Sequence, residues 1–129
     1  MKTTTATDEY MKAGEVENPR RRILYGAEAL VNGDRNRQYG SPSSDFARTA
    51  AFWNTYLTGV FERKLKADIP PEILEVLEYL IDSHDVAILM NLLKISRISW
   101  SPEKEDSWLD GAGYLACGWN CVVDELQEP

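Results

Sequence analysis

One histidine and two cysteines are all that the 129 residues offer of the soft metal ligands and imidazole bases. A lone imidazole leaves little scope for Ser/His or Cys/His catalysis, which needs a nucleophile within reach of a base. Cys117 and Cys121 stand one helical turn apart, with no further Cys or His near them in sequence. That is a poor zinc pattern, and a disulfide across one turn constrains nothing, so two free thiols are expected. A glycine-rich phosphate loop of the P-loop kind is missing, and Gly111 and Gly113 do not make one. No apolar run approaches the roughly 20 residues of a membrane-spanning helix. No apolar signal core opens the chain, so a cytoplasmic protein is expected. Basic residues are in deficit, 14 Lys and Arg against 21 Asp and Glu, for a formal net charge of −7. That sign argues against binding nucleic-acid phosphates or an anionic membrane surface. Strand-like alternation and internal repeats are also absent.

What remains is helical periodicity. A hydrophobic fraction of 43% suffices for one core. Residues 1–17 are Thr-rich, polar and without period, and read as a loosely attached tail. Residues 18–129 read as a single all-α domain, a bundle of four to five helices. Asn18-Pro19 suits the cap and first position of a helix that stops at Asn32-Gly33. Arg20-Arg21-Arg22 reads as a solvated helix end. The segment from Asp34 to Pro42 has turn chemistry throughout and carries Arg35, Arg37 and Tyr39, groups suited to an anionic ligand with a flat base. Ser43 or Ser44 is expected to cap the next helix, with Asp45 in its first turn and Phe46, Ala50, Trp53, Leu57, Val60 and Phe61 as its core stripe. Pro70-Pro71 permits a new helix at Glu72, and Asp82-Ser83 is a good cap pair for a break before His84. From Asp85 to Ile98 the chain is apolar nearly all round, the pattern of a central helix. Lys94 and Arg97 near its end call for partners, a ligand or access to solvent. His84 reads as structural.

The last helix is expected to start at Asp106 or Ser107 and to run to about Leu126. At roughly 100° per residue, Asp106, Asp110, Gly113 and Cys117 share one narrow stripe. The opposite arc holds Trp108, Leu109, Ala112, Leu115, Ala116, Trp119, Val122, Val123 and Leu126. An ordinary wet face is filled with Lys, Glu and Gln. Small residues beside paired carboxylates point instead to a close approach by another helix, a metal ion or a ligand. Asp106, Asp110 and Asp85, with Glu75 and Glu78 as further candidates, are oxygen donors suited to Mg²⁺ or Mn²⁺. Lys94, Arg97, Arg35 and Arg37 are candidates to neutralise phosphate oxygens. A metal on a polyphosphate polarises phosphorus and activates water, so this set suits metal-assisted phosphoanhydride hydrolysis.

Three blocks carry a resemblance: Asp34-Arg-x-x-x-Tyr39-Gly40-x-Pro42, Asp85-Val-Ala-x-x-Met90-x-x-x-Lys94-x-x-Arg97, and Asp106-x-x-x-Asp110-x-x-Gly113-Tyr114. Together they resemble a family of small, mostly uncharacterised bacteriophage proteins. More distantly the chain is similar to the all-α NTP pyrophosphohydrolases, the MazG-like and dimeric dUTPase-like group. That likeness implies an oligomeric helical bundle that uses Mg²⁺ to cleave an NTP to NMP and pyrophosphate in the bacterial host cytoplasm. It implies metal ligation by Asp106, Asp110 and Asp85, catalytic roles for Asp85, Asp110 and Lys94, and nucleotide contacts from Arg35, Arg37, Tyr39, Lys94, Arg97 and Tyr114. The group's pattern has paired acids three residues apart on each of two helices, whereas Asp106 and Asp110 are four apart. Two other expectations therefore stand beside hydrolysis. One is a nucleotide binder without turnover that sequesters a host signalling nucleotide, and the other is a helical adaptor for another protein. A dimer or tetramer is expected in either nucleotide case.

Overall fold

Helix boundaries follow local chemistry closely. The computed structural model describes residues 18–128, so the tail expected over residues 1–17 lies outside the described residues. Helix α1, Pro19–Val31, opens as its sequence dictates: Asn18 Oδ1 accepts the N–H groups of Arg20 at 3.0 Å and Arg21 at 3.3 Å. It closes at Asn32. The Asp34–Pro42 segment is not all loop. Its middle winds into a short helix α2, Arg35–Tyr39, because the Asp34 carbonyl accepts from the N–H groups of Arg37 and Gln38. Gly40 ends it at φ +83°, ψ −174°, a conformation essentially reserved for glycine.

Helix α3, Pro42–Leu65, starts earlier than Ser43 or Ser44. Its cap is Ser41, whose Oγ accepts from the Ser44 N–H at 3.2 Å, and Pro42 takes the first position where no N–H is needed. Lys66, in the left-handed region at φ 55°, closes it. Helix α4, Pro71–Glu78, follows the double proline. The break at Asp82-Ser83 is borne out: α5 spans Ser83–Trp100 behind an Asp82 cap. Helix α6 spans Glu105–Gln127, one residue ahead of the earliest expected start.

Among the described residues the architecture is all-α, and no helix is long and apolar enough to cross a membrane. Among the described helices the α5–α6 hairpin is the most extensive packing; α1 lies on α6, α3 lies on both hairpin helices, and α4 packs only on α3. The hairpin is antiparallel, since Ser83 at the start of α5 bonds to Glu125 at the end of α6, while Lys94 meets Asp110. Phe46, Ala50, Val86, Ala87 and Cys121 form the buried cluster, with Trp53, Ile81, Met90, Tyr114 and Cys117 packed around it. Neither Cys117 nor Cys121 is joined in a disulfide, as expected. Burial pushes the Cys121 thiol up, against hydrogen bonds with Ser43 and Ser83.

One expectation about what is buried is corrected. Helix α5 is apolar nearly all round but is not enclosed: Ile88, Leu89, Leu92, Leu93 and Ile95 are exposed. On helix α6 the small residues near the paired carboxylates meet other helices, the close approach expected of them, although Asp106 is exposed and Leu109 of the apolar arc is buried. Gly111, Gly113, Gly118 and Cys121 are buried, while Trp108, Leu115, Trp119 and Leu126 are exposed. The reason is close backbone approach. A Cβ at Gly118 would sit 3.0 Å from that of Ala87, and one at Gly113 would sit 3.2 Å from Val31 Cγ1. Helices that lie so near one another need small residues between them, and a tryptophan has no room there.

Candidate functional site

Where α1 ends, α3 begins and α6 passes between them, the surface dips into a small half-open concavity of about 40 Å³. Leu30 and Val31 supply the α1 wall, Asn36, Tyr39 and Gly40 the α2 wall, and Pro42, Asp45 and Phe46 the start of α3. Helix α6 contributes Asp110, Gly113, Tyr114 and Cys117. Gly113 keeps this wall thin, because Val31 and Leu30 of α1 occupy the space beside it. The Tyr114 ring leans on Phe46, centroids 6.3 Å apart and tilted by 35°. Tyr39 is 52% exposed and forms part of the rim.

Arg48 holds the α2–α3 corner that shapes this rim. Its guanidinium donates to the Tyr39 carbonyl at 2.5 Å and to Ser44 Oγ at 2.8 Å. The sequence reading missed Arg48 and gave Asp45 only a helix-start role. The Ser44–Arg48 spacing of four residues was the one signal that could have found the first of them.

Asp110 is the acidic feature of the α6 wall. Its Oδ2 lies 3.1 Å from Lys94 Nζ, so the half of α5 that approaches the site does so through this pair. Space for the pair exists because Gly111, next along α6, leaves Asn91 and Lys94 close against the helix backbone.

The remaining candidates are placed elsewhere. Asp106 is exposed, one turn before Asp110, and is not part of the concavity wall. Asp85 is at the far end of α5, nine residues before Lys94, a distance of about 13 Å along a helix. There its carboxylate accepts the Asp82 N–H at 3.0 Å, the return half of a capping box. Asp106, Asp110 and Asp85 therefore do not converge within one chain. Glu75 and Glu78 are exposed on α4, and Glu78 borders a separate groove with Asp82 and Glu125. Arg37 is exposed and lies 4.0 Å from Asp34; Arg97 is exposed on α5. The side chain of Arg35 lies outside the described ones.

A second polar cluster joins the start of α5 to the end of α6. Glu125 accepts from Ser83 Oγ at 2.8 Å and lies 3.1 Å from His84 Nδ1. His84 Nε2 faces Asp85 at 3.4 Å. The Glu125 hydrogen bond raises the His84 pKa, against partial burial, and the Asp85 charge adds to the rise. Burial works to raise the Glu125 pKa, but the Ser83 and His84 hydrogen bonds prevail and hold it below its ordinary value. Asp82, His84 and Asp85 are close enough to share a cation, yet each already has a structural task at the helix start. His84 is thus structural, as its sequence context suggests.

The first and third sequence blocks line the concavity, and the second is tied to its wall through the Lys94–Asp110 pair. Residues 22–122 match the model of DUF6378, a domain of unknown function. The chain is 32% identical over 107 residues to the Gene 55 protein of Mycobacterium phage L5, covering 83% of this chain and 53% of that protein. It is 34% identical over 95 residues to the Gene 55 protein of Mycobacterium phage D29, covering 74% of this chain and 50% of that one. The chain thus spans about half the length of the curated relatives it matches. No solved structure matches it. With the match running from α1 into α6 and taking in the whole concavity, the chain belongs to the DUF6378 family, which it shares with bacteriophage proteins.

Proposed function

We propose that the concavity between α1, α3 and α6 is a nucleotide site in an all-α NTP pyrophosphohydrolase-like bundle. The observation that carries this reading is the meeting of the first and third sequence blocks at one concavity, with the second tied to its wall through the Lys94–Asp110 pair. Tyr39 and Tyr114 bring flat aromatic faces for a base. Asn36, Asp45 and Asp110 bring acceptors for base N–H groups or sugar hydroxyls. Mg²⁺ is commonly held by one or two carboxylates together with the substrate's phosphates. Asp45 and Asp110 are oxygen donors of that kind, so a Mg²⁺ or Mn²⁺ nucleotide fits this wall. Arg37, on the exposed side of α2, is available to phosphates that project from the rim. The setting proposed is the bacterial host cytoplasm, with the protein acting as a homo-oligomer.

Binding is the part that the geometry supports best, because Asp85 and Asp106 are not gathered around Asp110 in one chain. Hydrolysis to NMP and pyrophosphate is the second reading. The Asp110–Lys94 pair favours it, since it sets a carboxylate for the metal beside a cation for the phosphate charge. One experiment addresses both. The protein is titrated calorimetrically with NTPs and dNTPs in Mg²⁺, and pyrophosphate release is followed in parallel. Saturable binding of at least one nucleotide is expected, weakened about tenfold by Tyr39→Ala, the size of one lost base–aromatic stack. Pyrophosphate release abolished by Asp110→Asn establishes the hydrolase. A folded protein that binds no nucleotide at millimolar concentration refutes both readings.

A further inference from the structure

The α5–α6 hairpin carries large apolar side chains on the side that the other described residues leave bare. On α6, Trp108, Ala112, Leu115, Trp119, Val122 and Leu126 recur at alternating intervals of four and three residues, the spacing of a coiled-coil seam. Trp108, Leu115, Trp119 and Leu126 are 49%, 51%, 67% and 77% exposed. On α5, Ile88, Leu92 and Ile95 follow the same intervals and are 45%, 53% and 49% exposed. On both helices the residues that meet α3 and the core, Val86 on α5 and Tyr114 and Cys121 on α6, lie across the wheel from these seams. In an antiparallel hairpin the two seams then face the same way, as one continuous surface.

We infer that this surface is a two-fold interface between two copies of this chain. The seven exposed side chains leave on the order of several hundred Å² of apolar surface bare per copy, the scale of the roughly 800 Å² per partner of a stable interface. Monomers rarely leave more than a few hundred Å² of contiguous apolar surface in water. Neither seam carries an Asp, Glu, Lys or Arg, although the chain as a whole has a net charge of −7. Two equally charged copies therefore meet without burying a charge, which an ion-paired partner surface would require. The seam also complements itself: at a two-fold axis each helix hairpin packs on its own copy, giving a four-helix layer with the spacing that such layers use. This inference does not depend on the nucleotide reading.

Sedimentation equilibrium of the full chain tests it. The wild-type protein is expected at twice its mass of 14.6 kDa at micromolar concentration. Leu92→Glu combined with Trp119→Glu is expected to sediment as a single chain with unchanged helical circular dichroism. Phe52→Glu, at an exposed site on α3, is expected to remain a dimer. A wild-type protein that stays monomeric at tens of micromolar overturns the inference, as does a dimer that survives the double substitution. If the double variant fails to fold, Ile95→Gln carries the test. It is expected to weaken the dimer about tenfold, and an unchanged dimer constant overturns the assignment.

Discussion

Lys94 Nζ lies 3.1 Å from Asp110 Oδ2, and the lysine side chain is only 13% exposed. A cation so enclosed depends on its carboxylate. Asp110→Asn removes that charge and strands the ammonium between α5 and α6, at an expected cost of about 1–3 kcal/mol. Adding Lys94→Met to it is expected to recover most of the loss, because an apolar chain of similar length replaces the stranded charge. Urea unfolding of the two single variants and the double variant gives the coupling. Additive losses would show that the pair is not an energetic unit.

Asn54 should be a large single contributor to stability. It is buried on α3, and its amide donates to the carbonyls of Glu78 at 3.2 Å and Ile81 at 3.1 Å while its Oδ1 accepts the Ile81 N–H at 2.9 Å. It thus satisfies the backbone where α4 gives way to α5. Asn54→Leu leaves those groups without partners, at an expected cost of about 2–4 kcal/mol. Thermal melts measure the loss. Amide exchange should quicken first across residues 71–81, since α4 packs only on α3. Uniform quickening along the chain would contradict this local role.

The His84–Glu125 contact gives stability a defined pH dependence. His84 has a raised pKa, so its contribution is complete below its ordinary value near 6.5 and is lost as pH rises through the folded value. Glu125 has a lowered pKa, so its contribution is complete above its ordinary value near 4.3 and is lost as pH falls through the folded value. The pair therefore acts fully between about pH 5 and 6. Both side chains are about one-third exposed, which limits the pair to about 0.5 kcal/mol. His84→Gln is expected to narrow the stability difference between pH 5.5 and pH 8.5. An equal difference in both proteins would refute the assignment.

Local signals in the sequence were read well because their physics is local. Asn18-Pro19, Asp82-Ser83 and the double proline at residues 70–71 each act on the backbone within a turn of themselves. Ser41 was passed over for Ser43 and Ser44, although Pro42 behind it is the stronger marker of a first helical position. Nothing local says that Gly40 and Asp110 border one concavity, because α2 and α6 are far apart in sequence. Asp85 shows the limit most clearly. An acid three residues after a cap residue is as good a capping box as a metal ligand, and the structure gives it the first task. Periodicity separated the two arcs of α6 correctly but could not say which one faces inward. The signal for that was the small residues beside the paired carboxylates, which allow α1 and α5 to approach closely.

That close approach has an energetic consequence. Among the described residues, the largest fully buried side chains are Val86 and Cys121. Each large aliphatic or aromatic side chain, when wholly removed from water, contributes roughly 1.5–3 kcal/mol, and here most of that capacity remains on the surface. Assembly would draw on it by mass action, so that dilution alone lowers the melting temperature. For a chain built this way, protein concentration acts on stability as temperature and denaturant do.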